Sequence, residues 1–175
     1  MFSDNSLLPK ETIRLAALGI ISEGPLIYAD LANAVRRFIG HIAGPSLELT
    51  GPSIEMLRYE DLIEPVNDDE DPPLALTDVG RVELLTLLKA TVRPPMTDMS
   101  KLVMALKMRF LPLLETSERQ DQVDLLIDAC ELELARLSGL IDPTADEPYF
   151  QDWLAQDINL TEARLTWLQA FRDRV

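Results

Sequence analysis

The sequence predicts a mainly helical chain interrupted once by a small β-hairpin. Three observations carry this. Leu and Ala are abundant while only 5 Phe, 2 Trp and 3 Tyr occur in 175 residues, a balance that favours helices over a β-sandwich. Apolar residues return at steps of three and four along most of the chain, the period of an amphipathic helix. One stretch alone, PVNDDEDPPLALTD at residues 65–78, sets turn formers and charges between two short apolar pieces, the pattern of a hairpin.

The elements follow in order. From Thr12, the residues Ile13, Ala16, Ala17 and Ile20 share one helical face, and Gly24-Pro25 ends the run. A second helix is expected from about Tyr28 to Ile39, with Leu31, Val35 and Phe38 on its stripe and a stop near Gly40. After the loop IAGPSLELTGP comes a short amphipathic segment carrying Ile54, Leu57 and Leu62, closed by Pro65. The strands are expected at Ile63 to Val66 and Leu74 to Leu76. Thr77 is a suitable N-cap for a helix with Val82, Leu84, Leu85 and Leu88 on its apolar face. Three helices, a hairpin and a helix is the order of a winged helix-turn-helix.

VRPPMTD, residues 92–98, is the best domain boundary, since adjacent prolines cannot continue a helix. It divides the chain into a winged helix-turn-helix at 1–92 and a helical domain at 93–175. In the latter, Met99, Val103, Leu106, Phe110 and Leu113 make a near-heptad seam broken at Pro112. Ser117 with Gln120 reads as a capping box. It opens a helix bearing Val123, Leu126, Cys130, Leu134 and Leu137 that ends by Asp142-Pro143. The last helix, from about Pro148, presents Trp153, Leu160, Trp167, Leu168 and Phe171. Further apolar residues, Met104 and Met108, Leu125 and Leu132, flank these seams. So small a bundle has more apolar surface than it can cover alone, and a symmetric homodimer is the expected solution. Val103, Leu106, Phe110, Leu126, Leu134, Trp167, Leu168 and Phe171 are its expected dimer-interface residues.

RLAALGIISEGPLIYADLANAV, LIEPV before the hairpin and LALTDVGR after it, LKMRFLPLL, and the terminal ARLTWLQAF together resemble PadR-type transcriptional regulators. The resemblance is to the branch with a virulence-activator-type C-terminal helical domain, and it runs from Thr12 to the end. It implies a homodimer held by the C-terminal helices that presents two winged helices to DNA. Members of that family carry a Ser-rich start to the third helix, a Tyr one turn in and leucines along its buried face. Here Ile54 and Leu57 match the leucines, but the Tyr position falls on Gly51, followed by Pro52. Proline inside a helix costs about 3 kcal/mol and is tolerated only in the first turn. The third helix is therefore expected to start at Thr50 or Gly51, with Thr50 as N-cap, and to lack the turn that meets base edges.

Charge sharpens this departure. The chain carries 16 Lys and Arg against 30 Asp and Glu, a net charge of −14. The region that should approach DNA holds Glu48, Glu55, Glu60, Asp61 and Glu64, and the wing adds Asp68, Asp69, Glu70 and Asp71. Phosphate-binding surfaces gain affinity through Lys and Arg that release counterions, and carboxylates in their place repel the duplex. Arg36, Arg37 and Arg58 are the residues expected to touch a DNA backbone if one is bound. The reading favoured is a homodimeric regulator acting mainly through protein contacts, an adaptor, antagonist or DNA mimic facing a basic partner. The alternative is a conventional DNA-binding regulator, with or without a small-molecule effector enclosed by Trp153, Trp167 and Phe171.

Chemistry beyond binding finds little support. His41 and Cys130 are the only histidine and cysteine, too few for a structural zinc site, and neither belongs to a recognisable catalytic motif. NDDED lacks the alternating oxygens and central Gly of a calcium loop. No catalytic residue, metal or cofactor is expected. No apolar run reaches the roughly 18–20 residues that span a bilayer, and the N-terminus lacks a signal-peptide pattern. A cytoplasmic location with no membrane partner is expected.

Overall fold

The computed structural model describes residues 6–44, 52–142, 144 and 146–175. Its elements are α1 (Pro9–Ile21), α2 (Tyr28–Ala43), α3 (Pro52–Tyr59), β1 (Ile63–Pro65), β2 (Leu74–Leu76), α4 (Asp78–Leu88), α5 (Asp98–Phe110), a 3₁₀ turn (Leu111–Leu113), α6 (Thr116–Ser138) and α7 (Pro148–Arg172). The chain is mainly helical with one small antiparallel sheet, as the sequence predicts. Contacts divide it into two compact units. One comprises the chain up to Thr91 together with Asp98–Leu114, the other Val92–Thr97 together with Glu115–Val175. The sequence places α5 with the second domain, whereas its contacts lie with α1, α2 and α4 of the first unit.

The first unit is built around α1. Leu15, Ala16, Ala17 and Leu18 are all fully buried, so this helix is enclosed on every side and its small residues let neighbours approach. Gly19 is the extreme case, for the ring of Phe110 on α5 fills the space where a side chain would begin. The second helix runs through Gly40 to Ala43 instead of stopping at the glycine. Its buried stripe is Leu31, Val35, Ile39 and Ala43, while Phe38 turns outward beneath Arg109. In α4 the buried residues are Gly80, Leu84, Leu87 and Leu88, and Val82, expected inside, is exposed.

The wing is pinned at its base. Ile63, Glu64 and Pro65 pair with Leu76, Ala75 and Leu74. On the other side of β2, Leu26 and Leu74 exchange both backbone hydrogen bonds, at 3.1 and 2.8 Å, so the loop before α2 extends the sheet. Thr77 is the N-cap of α4, its hydroxyl accepting from the Gly80 N–H at 2.9 Å. That hydroxyl also donates to the Asp61 carbonyl at 2.7 Å. A Cβ on Gly80 would lie 2.0 Å from the Leu62 carbonyl oxygen.

One charged side chain is inside this core. Lys107 on α5 is almost wholly buried, and its Nζ donates to the Leu88 carbonyl at 2.6 Å. Leu88 closes α4, so its carbonyl is among those a helix leaves without an internal partner. Burial lowers the Lys107 pKa to about 8, because a low-dielectric site disfavours the charged form.

In the second unit α6 packs along α7, with Val123, Leu126, Ala129, Cys130 and Leu137 facing Leu154 and Leu168 as the buried apolar residues. The capping box of α6 uses Glu115 and Glu118, not Ser117 and Gln120, since the helix begins two residues earlier, at Thr116. Glu133 is a buried carboxylate gripped by Arg136 through two 2.8 Å bonds. It also accepts from the Met96 N–H at 3.3 Å, which fastens the proline-rich segment to α6. The Arg136 bonds hold the Glu133 carboxyl below its usual range in spite of burial. Arg172 and Asp124 form a forked pair between α7 and α6.

Two outcomes test these packing statements. Gly80→Ala is expected to destabilise the protein by about 3 kcal/mol, the upper range for overpacking, because backbone is what blocks the new methyl. Gly40→Ala meets open space in a helix interior and should stabilise by roughly 0.5–1 kcal/mol; urea denaturation measures both. For Lys107 the folded value of about 8 lies below the ordinary 10.5. Between those pH values the unfolded chain holds more protons, so stability rises with pH. Lys107→Met removes this rise, and the stability of wild type relative to the variant should climb across that window. A flat difference would contradict the assignment.

Candidate interaction face of the winged helix

Three elements meet around a groove of about 690 Å³ in the first unit. Tyr28 opens α2, and the Leu26–Leu74 pairing carries it to the wing. Ile54, Glu55, Arg58 and Tyr59 come from successive turns of α3, and Glu70, Asp71 and Pro72 from the wing. The floor is apolar, since Ile54 and Leu74 are buried. The walls are aromatic and acidic. Tyr59 is 84% exposed, so it stands beside the groove as a free edge. Three carboxylates face one guanidinium. Burial, and then the charge of Glu55, push the Tyr28 phenol above its ordinary pKa, with Arg36 acting in the opposite direction.

The expected acidic residues do not all join this groove. Glu55, Glu70 and Asp71 line it. Asp68 and Asp69 are exposed in the same wing turn. Glu60 is turned toward α1, where Arg14 holds it at 2.6 Å and also reaches Glu83 at 3.1 Å. Asp61 sits at the end of α3 in a left-handed conformation, φ 58°, and its backbone carbonyl receives Thr77. Glu48, Thr50 and Gly51 lie outside the described residues, as does the expected beginning of α3 before Pro52.

The three arginines are separated as well. Arg58 lies in the groove. Arg36 donates to Asn33 at 2.9 Å on α2. Arg37, one residue further and so about 100° around the helix, lines a different cavity with Phe38 and His41.

The expected dimer-interface residues lie in different surroundings. Val103, Leu106 and Phe110 are buried in the first unit, and Leu126 and Leu168 in the second. These are core positions of one chain: the near-heptad spacing that singled them out serves intrachain packing equally well. Leu134 and Phe171 are half-buried. Trp167 is 46% exposed and stacks on Phe171, centroids 5.0 Å apart. With Trp153 and Leu160, also exposed, it leaves an apolar stripe along α7 at intervals of seven.

Tyr28 and Tyr59 are groove residues that the sequence did not reveal as such. Both stand in amphipathic segments whose buried positions were legible, and only the pairing of Leu26 with the wing brings them together. Lys107 was legible in principle: it falls four residues after Val103 and three before Phe110, on their face of α5. Among the described residues no cluster of His, Cys, Asp and Glu is arranged to hold a metal ion. No helix there is long and apolar enough to cross a membrane.

A three-helix core, a paired hairpin and an α3 aligned beside it are the parts of a winged helix. The sequence profile of the family described as "Putative AphA-like transcriptional regulator" matches residues 2–172. The chain belongs to that family. Among solved structures the AphA-like chain is similar to PadR of Bacillus subtilis, at 19% identity over 95% of this chain and 96% of that one, TM-score 0.42. PadR in complex with operator DNA is similar at 18% identity over 92% and 97% of the two chains, TM-score 0.39. PadR in complex with p-coumaric acid is similar at 19% over 93% and 98%, TM-score 0.39. No curated protein matches the chain. What the AphA-like chain binds has to come from its own residues.

Proposed function

We propose that this AphA-like chain is a homodimeric, cytoplasmic winged-helix regulator that acts mainly through protein contacts, offering an acidic head to a basic partner. Glu55, Glu70 and Asp71 lining the groove beside α3 with a single Arg58 is the observation that carries this reading. A wing turn that adds exposed Asp68 and Asp69 supports it. In a winged helix this face is where a duplex would lie, and DNA affinity depends on neutralising phosphates. Carboxylates there raise the cost of approach and favour Lys- and Arg-bearing surfaces. The resemblance of the C-terminal segments to the virulence-activator-type branch supports dimerisation through the second unit. The exposed stripe of Trp153, Leu160 and Trp167 on α7 is the surface we assign to it, in place of the buried residues above.

A second reading, direct operator binding, is favoured by the family and by exposed Arg36, Arg37 and Arg58. Gel retardation at low salt with the DNA upstream of the protein's own gene separates the two. The expected result is no specific retardation by the wild type. Neutralising the wing (Asp68→Asn, Asp69→Asn, Glu70→Gln, Asp71→Asn) should introduce weak, sequence-independent retardation. Specific retardation by the wild type that disappears in Arg58→Ala would overturn the protein-contact reading. For the dimer, sedimentation velocity should give a dimer for wild type and a shift to monomer for Leu160→Arg with the helical content unchanged.

A further inference from the structure

We propose that the groove between α3 and the wing receives an arginine side chain carried by a protein partner. This rests on the acidic-head reading above and says which basic group that head takes. The groove measures about 690 Å³ and is lined entirely by residues of the first unit. Glu55, Glu70 and Asp71 line it together with Arg58, so its described charged groups are three carboxylates against one guanidinium. None of these three carboxylates forms an ion pair with a described residue. Elsewhere the carboxylates of Glu23, Glu60, Glu83, Asp124 and Glu133 each hold an arginine. The groove is where acidic groups are left to be answered from outside.

The lining suits a guanidinium better than an ammonium. Glu55 and Tyr59 are one turn apart on α3 and so share a face. A helical side chain leans toward the N-terminal end of its helix, which brings the Tyr59 ring toward the turn that bears Glu55. A cation held by Glu55 therefore meets an aromatic ring, an arrangement that adds cation–π attraction to the ionic contact. Tyr28, in the first turn of α2, supplies a second ring to the lining. Glu70 and Asp71 belong to another element, the wing. A guanidinium spreads five N–H donors over a planar fork, so it can reach carboxylates on two elements while its face lies against a ring. An ammonium is a compact, strongly hydrated point charge and gains less from either contact.

The floor takes the rest of the side chain. Ile54 and Leu74 are buried beneath the groove, and the methylene stem of an arginine covers such apolar surface while its charged head stays at the wet rim. Arg58 lines the same groove from α3 and is the resident competitor of an incoming arginine. Proteins that grip phosphate backbones expose arginines of this kind, and theirs is the surface chemistry this groove fits.

Heteronuclear NMR titration of the full-length protein at low salt tests this with the capped peptide GSGRGSG and with lysine or uncharged citrulline in place of its arginine. The arginine peptide is expected to shift the amide signals of Ile54, Tyr59 and Leu74. It should bind at least about threefold more tightly than the lysine peptide and at least about tenfold more tightly than the citrulline peptide. Tyr59→Leu should weaken it at least about threefold and Tyr59→Phe, which keeps the ring, should leave it unchanged. Tyr59 is exposed, so neither variant should lower the melting temperature. Arg58→Gln should strengthen binding, because the resident cation is gone. The inference is overturned if these signals do not move, if the lysine peptide matches the arginine peptide, or if Tyr59→Leu leaves affinity as it was. A head that attracts basic partners by charge alone survives those outcomes; it falls on specific operator retardation by the wild type.

Discussion

The Leu62 carbonyl oxygen organises the junction of α3, the wing and α4. It accepts the Thr77 N–H at 3.1 Å and lies where any side chain on Gly80 would have to start. The Thr77 hydroxyl at once caps α4 and ties down the Asp61 carbonyl. Within three residues the end of α3, the start of β1 and the start of α4 are joined at van der Waals distance. Only glycine at position 80 allows it, and only a small hydroxyl residue at 77 can serve both bonds. A two-stranded hairpin such as this wing is marginal by itself. Its orientation toward α3, and hence the groove between them, depends on this junction and on the Leu26 pairing across β2.

Most of this fold was legible in the sequence because its signals are local. Helix periodicity, the Thr77 cap and the polar turn each depend on neighbours a few residues away. The misplaced features are those decided by distant ones. Gly40 reads as a helix stop, yet α2 continues because Ile39 and Ala43 on either side are buried and packing outweighs the roughly 1 kcal/mol a helical glycine costs. Val82 reads as core and is exposed, because it lies on the side of α4 opposite the buried Gly80, Leu84, Leu87 and Leu88. The seam of Val103, Leu106 and Phe110 reads as an interface and is the interior, because the space to receive it is supplied by Gly19 of α1, about 90 positions earlier in sequence. The candidate groove was legible in its charge and not in its shape. Glu55, Glu70 and Asp71 were expected to share a surface, whereas the capture of Glu60 by Arg14 depends on which way α1 faces.

An acidic head costs the fold little. Its carboxylates stand in solvent, where screening over about 8–10 Å at physiological salt limits mutual repulsion. Their effect is felt by whatever approaches, since a charged groove with an apolar floor focuses its field outward. The core makes the complementary choice. Among the described residues its buried charges, Lys107 and Glu133, are answered by named partners: Lys107 by the end of α4, Glu133 by Arg136 and Met96. Charge inside this protein fixes helices to one another, and in the proposed function the charge outside selects the partner.

The two faces of α7 show the same division by another means. Leu154, Thr161 and Leu168 are buried at intervals of seven, and Trp153, Leu160 and Trp167 repeat the interval one residue earlier, about 100° around the helix. A solvated face has no use for two tryptophans and a leucine in register. Stacking of Phe150 on Trp153 and of Phe171 with Trp167 gives that stripe ordered aromatic edges, and a strict interval of seven is the spacing by which two helices of separate chains keep facing each other. In the proposed dimer the first set of sevens therefore folds the chain and the second set pairs it. A change such as Leu160→Arg separates these roles, because it alters only the outward set.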